Sequence, residues 1–227
     1  MLRFEVLSLF PDYFRSPLEE SMLRRAREAG LIEVELVNIR DYTLDRHKKT
    51  DDRAYGGGPG MVMMVEPIVR AIRAVRRPQT RVIYLSPQGK RLDAKRCREL
   101  AKEKHIILLS GHYEGIDERA MKEIDEEISI GDFVMTNGCP AALCLIDAVM
   151  RFVPGVIGDE RAAGEDSHEA GLFDWPCYTR PEEFEGEKVP EVLLSGNHKE
   201  IDAWRRKMAA EKTARVRPDL IAGHEKD

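Results

Sequence analysis

Long apolar runs are absent from this 227-residue sequence. No stretch approaches the ~20 consecutive apolar residues that span a bilayer. The first residues, MLRFEVLSLFPDYF, carry a charge and turn-forming residues where a secretory signal has its apolar segment. We therefore expect a soluble, cytoplasmic protein with no membrane partner.

Cysteine pairs of the kind that bind zinc are also absent. The sequence has no CxxC motif, and its cysteines have no ligand-like spacing with histidine; they are Cys97, Cys139, Cys144 and Cys177. Such cysteine usage is typical of a reducing compartment. It argues against a zinc site, and no metal site is predicted.

Neither of the common glycine-rich phosphate motifs occurs. The segment 51–64, DDRAYGGGPGMVMM, has four glycines and a proline within five positions, but the sequence contains no GxxxxGK[ST]. A GxGxxG pattern that begins at Gly56 fails because Met61 occupies its third glycine position. We therefore predict no NTP or NAD site in this glycine loop, and the residues alone leave its role open.

An excess of positive charge is missing as well. Lys and Arg number 36 against 41 Asp and Glu, and the net charge of −5 is not typical of a nucleic-acid-binding protein. Basic runs nevertheless flank the glycine loop and lie near the C-terminus: DRHKKTDDR, RAIRAVRRPQTR and WRRKMAAEKTARVRP. Each run is compatible with a solvated face, and together they are compatible with a basic stripe.

What is present is a regular alternation of strand and helix patterns up to Pro154. Apolar segments predict strands over 3–10, 31–39, 80–86, 105–110 and 127–135. Capped, periodic segments predict helices over 16–30, 66–77, 93–103, 117–124 and 140–153, and a long loop over 41–60. This order predicts an α/β domain with a largely parallel sheet.

Beyond Pro154 the alternation stops. Residues 155–175 are rich in glycine, alanine and acids, which predicts a flexible linker. A helix is predicted over 195–214, with Asn197 and Glu200 forming its N-terminal box. We predict an α/β domain over 1–154, the linker over 155–175 and a small helical domain over 176–227.

Three glycine-containing loops lie at the ends of successive predicted strands. We call them the first loop (85–89, LSPQG), the second loop (110–119, SGHYEGIDER) and the third loop (130–138, IGDFVMTNG). Ligands of open α/β sheets bind outside the carboxyl ends of the strands. Two interpretations of these loops are therefore equally favoured. One is a backbone-lined pocket that binds an adenine edge and hydroxyl groups, and the other is ordinary turns.

Eight motifs in one order resemble a known family. They are DDRAYGGGPGMVM, LSPQG, GHYEGIDER, SIGDFVM, LIDAVMRFVPGV, EDS, YTRP and VLLSGNH. Over about residues 1–220 the chain resembles the bacterial TrmD-type tRNA (guanine-N1)-methyltransferases of the SPOUT superfamily. The resemblance implies methyl transfer from S-adenosylmethionine (AdoMet) to N1 of guanosine at tRNA position 37, beside the anticodon.

The resemblance also carries expectations about architecture. It implies a SPOUT-type parallel sheet with a deep trefoil knot, a homodimer with the active site at the subunit interface, and a helical C-terminal domain that binds the tRNA anticodon stem-loop. Some members of the family use Mg²⁺. Two alternatives stay open: another SPOUT RNA methyltransferase with a different target nucleotide, and a non-catalytic tRNA-binding module.

The expected reaction requires two functional groups. Guanine N1 carries a proton at neutral pH, and its removal pushes negative charge onto O6. The resemblance assigns the general base to Asp166 and the group that stabilises O6 to Arg151. The plainer interpretations are a solvated linker acid and a helix-end charge. His168 is interpreted as a linker histidine with at most a supporting role.

The resemblance likewise implies binding residues. The residues expected to bind AdoMet are Leu85, Ser86, Pro87, Gly89, Gly111, Tyr113, Glu114, Ile130, Gly131, Phe133, Met135 and Gly138. Glu114 would meet the cationic amino group, or is simply a turn acid. The residues expected on the substrate side are Asp51, Asp52, Gly57, Gly58, Ser167, Ser195, Asn197 and His198.

The sequence departs from the family pattern in three places. The family commonly reads GGELP where this chain has NGCPA (137–141), which puts one wall of the AdoMet pocket in doubt. Asn137 replaces a glycine, although asparagine tolerates a positive φ better than most residues. Ser110 replaces a usual cysteine, and Cys177 replaces a histidine.

Overall fold

The computed structural model describes residues 1–158, 166–168 and 171–223. The chain divides into two compact units, Met1–Gly158 and Asp159–Asp227. The linker predicted over 155–175 falls in part on residues 159–165 and 169–170, which lie outside the described residues. Each unit is described by itself.

The first unit is built on a five-stranded sheet of order β2-β1-β6-β5-β7, in which every neighbouring pair is parallel. A separate antiparallel pair joins β3 and β4. The strands are β1 (Leu2–Ser8), β2 (Ile32–Asn38), β3 (Asp51–Asp52), β4 (Val62–Met63), β5 (Thr80–Arg91), β6 (His105–Ser110) and β7 (Glu126–Ser129). The predicted α/β class with a largely parallel sheet is confirmed.

Helices cover both faces of this sheet. They are α1 (Arg15–Leu18), α2 (Ser21–Glu28), α3 (Val65–Val75), α4 (Ala94–Leu100) and α5 (Cys139–Met150). Along β6, Ile106 and Leu108 pack in the cluster that contains residues of α2, α4 and α5, whereas Ile107 and Leu109 pack in the cluster of α3. Because successive strand residues point to opposite faces, burial on both faces makes β6 continuously apolar.

The helix predicted over 16–30 is wrong as a single element. A 3-10 turn (Pro11–Phe14) leads into α1, and α2 starts after an extended Glu20. Ser16, the first residue of the predicted helix, lies inside α1, and Glu19 ends α1. Leu18 and Leu23 are both buried; five positions apart, they would lie on different faces of one continuous helix, so the chain breaks between them.

Two further predicted elements are shorter than expected. The strand predicted over 127–135 ends at Ser129, and the third loop leaves the sheet with Phe133 and Val134 exposed. The helix predicted over 117–124 is a 3-10 helix over Glu118–Glu123. The start of α4 agrees with expectation, because the Asp93 carboxylate accepts a hydrogen bond from the Arg96 amide at 2.7 Å.

The pairing of β5 with β7 is interrupted. Ile83–Leu85 pair with Glu126–Ile128, and pairing resumes between Lys90 and Ile128, so the residues between bulge out of the ladder. Where pairing resumes, the backbones of β5 and β7 lie very close together: a Cβ on Gly89 would lie 2.5 Å from the carbonyl carbon of Glu127. The first loop therefore begins where the paired segment Ile83–Leu85 ends, inside β5, and it packs against β7.

The second unit contains a β-hairpin followed by helices. Its elements are β8 (Glu183–Phe184), β9 (Glu187–Lys188), α6 (Glu191–Leu194), α7 (His198–Val216) and α8 (Pro218–Gly223). The predicted cap of α7 is present, with the Asn197 side chain accepting from the Glu200 amide at 3.4 Å. Among the helices of the described residues, none is long and apolar enough to cross a membrane.

Candidate functional site

A cavity of about 360 Å³ opens at the break in β5 and at the carboxyl ends of β6 and β7. The three loops supply most of its lining. Of the twelve residues expected to bind AdoMet, only Gly89 does not line it; the lining includes Leu85, Ser86, Pro87, Gly111, Tyr113, Glu114, Ile130, Gly131, Phe133, Met135 and Gly138. Gly89 lies instead at the close approach of β5 to β7.

The second and third loops are joined through their backbones. The Gly138 amide donates to the Gly111 carbonyl at 2.8 Å, and His112 forms a bridge with Asn137. A Cβ on Gly138 would lie 2.9 Å from the Gly111 nitrogen. Only glycine at position 138 therefore permits this approach without a backbone shift.

The NGCPA segment leads into the first turn of α5, and its residues Asn137, Gly138 and Ala141 line the cavity. The Asn137 side chain accepts a hydrogen bond from the Cys139 amide at 2.9 Å, and Pro140 occupies the first turn of the helix. Cys139 is buried, with its Sγ 3.4 Å from the Ser8 hydroxyl. Asn137 does not adopt the positive φ that its replacement of a glycine suggested; its side chain instead orders the turn before α5.

The cavity combines carboxylates with apolar walls. Glu114, Glu118 and Glu127 line it together with apolar side chains that include Ile116 and Ile128. Its volume lies within the range of small-molecule sites. A ligand with a flat apolar ring and a positive charge suits this lining, and AdoMet has an adenine, a sulfonium and an ammonium group.

Tyr84 is a lining residue that the sequence did not single out. Its ring is buried, and its hydroxyl lies against the second loop, 3.1 Å from where a Cβ on Gly111 would be. Burial, with a smaller contribution from the Glu127 charge, raises the pKa of Tyr84 to about 12. The hydroxyl therefore stays neutral and can donate a hydrogen bond. Its position directly before LSPQG is the signal that could have identified it.

His112 is a second lining residue that sequence reasoning passed over, although it lies inside the GHYEG motif. Its ring centroid is 5.0 Å from that of Phe10 and 4.5 Å from that of Tyr113. Its Nδ1 is buried and has no hydrogen-bond partner among the described residues. Burial lowers the pKa of His112, Arg40 lowers it further, and Asp51 has the opposite effect.

The β3–β4 pair brings the predicted substrate residue Asp51 to the second loop. The Met63 amide donates to the Gly115 carbonyl at 2.9 Å, and the Glu114 amide donates to the Met61 carbonyl at 3.0 Å. Asp52 is exposed and pairs with Lys49 at 2.9 Å. That hydrogen bond, followed by one from the Arg53 amide, lowers the pKa of Asp52.

The backbone conformation of the glycine loop favours glycine. Gly57 and Gly58 have φ values of +80° and +117°, a region that disfavours side chains; both are exposed, and a Cβ added to either would have no atom within 4 Å. At Gly60 (φ +77°) a Cβ would also meet the Glu114 side chain at 2.5 Å. The loop thus touches the second loop at one end and faces outward at its tip.

The two predicted catalytic residues belong to different units. Arg151 is exposed and follows the last residue of α5, at the end of the helix. Asp166 is half-buried in the second unit, next to Ser167, whose hydroxyl donates to the Asp174 carboxylate at 2.6 Å. The action of Arg151 and Asp166 on the same substrate base therefore stays a prediction.

The remaining substrate predictions cluster at the start of α7. The Ser195 hydroxyl donates to the Val192 carbonyl at 2.8 Å and accepts from the Asn197 amide at 3.1 Å. His198 is exposed as the first residue of α7. Across the described ranges, no group of three or more His, Cys, Asp or Glu could hold a metal ion, so the Mg²⁺ expectation has no support there.

Comparison with known proteins identifies the family. The family model described as tRNA (Guanine-1)-methyltransferase TrmD matches residues 2–223. The chain is 59% identical over 219 residues to a tRNA (guanine-N(1)-)-methyltransferase of Protochlamydia amoebophila, covering 96% of this chain and 99% of that protein. It is 52% identical over 221 residues to one of Carboxydothermus hydrogenoformans, covering 97% and 87%.

A longer relative has the same name as the two proteins above. The chain is 55% identical over 220 residues to a tRNA (guanine-N(1)-)-methyltransferase of Chlamydia trachomatis serovar D, but it spans only 62% of that protein's length. The match to the family model covers nearly the whole chain, and the relatives of different length agree with it. The chain belongs to the tRNA (guanine-1)-methyltransferase TrmD family.

Proposed function

We propose that this chain methylates N1 of guanosine in tRNA, at position 37 beside the anticodon, with AdoMet as the methyl donor. The observation that carries the proposal is the cavity at the three strand ends, in a chain that belongs to this family. Eleven of the residues expected to bind AdoMet converge there although they come from three separate loops.

The donor site is proposed to work mainly through the backbone. When bound, AdoMet supplies an electrophilic methyl group and a neutral thioether as leaving group. The backbones of the three loops would bind the adenosine, and apolar neighbours such as Leu85 and Ile116 would pack on its ring. Glu114 would neutralise the ammonium group, and neutral Tyr84 is available as a donor.

Proton removal is assigned to the second unit. Asp166 would accept the N1 proton of the target guanine, which makes N1 nucleophilic. Arg151 would stabilise the negative charge that develops on O6. The bonds between Ser167 and Asp174 support this role, since they anchor the residue next to Asp166 in a defined turn.

The finer architecture is also proposed. A trefoil knot in the first unit is supported by the break in β5 and by the tight packing of the first loop on β7. A homodimer with a shared active site is supported by apolar side chains exposed at the cavity mouth: Tyr113, Phe133 and Val134 are 41%, 55% and 81% exposed. Covering such a patch is typical of an interface.

The division into a catalytic domain (1–154), a linker (155–175) and a tRNA-binding domain (176–227) belongs to the same proposal. Cation–π pairs in the second unit support RNA binding: Arg205 lies 4.9 Å from the centre of the Trp175 ring, and Lys212 lies 5.9 Å from that of Phe173. Basic and aromatic side chains together are suited to phosphates and bases.

The proposed function is tested by nucleoside mapping. The purified chain is incubated with labelled AdoMet and an unmodified tRNA transcript, and the modified nucleotide is identified; a transcript with adenosine at position 37 is the control. We expect N1-methylguanosine at position 37 and no label in the control. Label at another nucleotide would identify a different RNA methyltransferase. Failure to bind AdoMet in calorimetry would identify a non-catalytic module.

A further inference from the structure

A second cavity, of about 250 Å³, adjoins the donor cavity at β7. The two cavities share Ile128 as a lining residue. The second is lined by the end of β5 and the start of α4, and its residues are mostly charged: Lys90, Arg91, Leu92, Asp93, Lys95, Arg96, Glu99, Glu126 and Ile128. The sequence motifs assigned no function to any of these residues.

The carboxylates of this cavity are all engaged by internal partners. Arg96 forms a two-pronged ion pair with Glu126, and it contacts Glu99 at 2.8 Å. The Asp93 carboxylate caps α4 by accepting from the Arg96 amide. The negative charges of the cavity are therefore balanced by Arg96 and by the helix terminus.

Three other cationic side chains of the cavity are not paired with carboxylates within the described part of the chain. Lys90, Arg91 and Lys95 are exposed, and no ion pair is formed by any of them within the described part of the chain. Arg98, one turn further along α4, lies 5.4 Å from the centre of the Phe152 ring, and Phe152 follows Arg151 directly. The three cations and Arg98, here called the α4 strip, therefore lead from the second cavity towards the end of α5.

We propose that the α4 strip binds the phosphate backbone of the substrate RNA close to the nucleotide that is methylated. The inference rests on the proposed function for the identity of the RNA. A concave surface with three unbalanced cations, in a chain whose net charge is −5, selects a polyanion. The strip adjoins the donor cavity at Ile128 and reaches Phe152, next to Arg151, and this proximity to both proposed functional regions favours the substrate RNA over any other polyanion.

The test is the salt dependence of tRNA binding by the full chain. Affinity for the unmodified transcript is measured between about 50 and 300 mM NaCl for the wild type and for K90E/R91E/K95E. We expect the variant to bind at least about tenfold more weakly near 100 mM salt, and the log–log salt slope to fall by about 2. A neutral variant, K90Q/R91Q/K95Q, should show an intermediate loss of tRNA affinity. It serves as a second test in case the charge-reversed variant fails to fold.

The matched control is R25E/K104E/K122E, which makes the same change in net charge at exposed cations outside the strip. Wild-type affinity and slope in the strip variants would overturn the proposal, and so would equal weakening of strip and control variants. These outcomes are read from binding alone. They are therefore separate from the mapping experiment, whose failure would overturn the proposed function and not the strip.

Discussion

At the residue scale, the proposed proton acceptor is Asp166. Replacing it with alanine removes the only group assigned to take the N1 proton, so we expect methyl transfer to fall by at least about 100-fold. AdoMet affinity should stay unchanged, because the residues proposed to hold AdoMet lie in the first unit. Single-turnover methylation and calorimetry measure the two quantities.

The matched control for Asp166→Ala is Asp12→Ala, which removes an exposed carboxylate that pairs with Arg15. That variant should retain wild-type activity. An activity loss of less than about tenfold in Asp166→Ala would remove Asp166 as the base.

Also at the residue scale, His105 links stability to pH. It is buried at the amino end of β6, with Nδ1 2.7 Å from the Thr80 hydroxyl and Nε2 3.4 Å from the Glu5 carboxylate. Burial lowers the pKa of His105 and outweighs the opposite effect of Glu5, while Arg77 and Arg3 lower it further. The folded state therefore keeps His105 neutral at a pH where the unfolded chain protonates it.

The sign of the effect follows from proton binding. Below about pH 6.5, the ordinary histidine pKa, the unfolded state binds a proton that the folded state does not, so the free energy of unfolding falls as the pH drops. Denaturant unfolding at about pH 7.5, 6.5 and 5.5 measures the slope. His105→Gln should flatten it, and an unchanged slope in that variant would show that other groups cause it.

At the element scale, the donor cavity depends on the contact between the second and third loops. Gly138→Ala would place a Cβ 2.9 Å from the Gly111 nitrogen, and relieving this contact requires a backbone shift between two loops that line the cavity. We expect AdoMet affinity to fall by about tenfold or more. Gly158→Ala is the matched control, since a Cβ at Gly158 has no atom within 4 Å. Equal AdoMet affinity in both variants would contradict the role of this contact.

The order of elements was predictable because its signals are local. The apolar run of β6 and the Asp93 cap of α4 are visible in a few residues of sequence. The break at Glu19–Glu20 and the bulge in β5 were not predictable, since they depend on which neighbours the chain meets in the fold. Motif order supplied eleven of the residues that line the cavity, whereas Tyr84, directly before LSPQG, and His112, inside GHYEG, were recognised as lining residues only in the fold.

At the scale of the whole molecule, the division of Arg151 and Asp166 between two units bears on the proposed homodimer. If one subunit supplies Arg151 and its partner supplies Asp166, every active site needs two chains. Two inactive variants, Arg151→Ala and Asp166→Ala, would then complement each other. A heterodimer has one site with both native residues and one site with neither.

Mixing the two variants in equal amounts, with unfolding and refolding to exchange subunits, tests this arrangement. Half of the dimers would be heterodimers, each with one intact site of two, so we expect activity to recover to about a quarter of the wild-type value. Each variant refolded alone is the control and should stay inactive. If both residues act within one chain, no mixture restores activity, because every chain then carries a defective site of its own. Recovery therefore distinguishes a shared site from two independent sites, which size measurements alone do not.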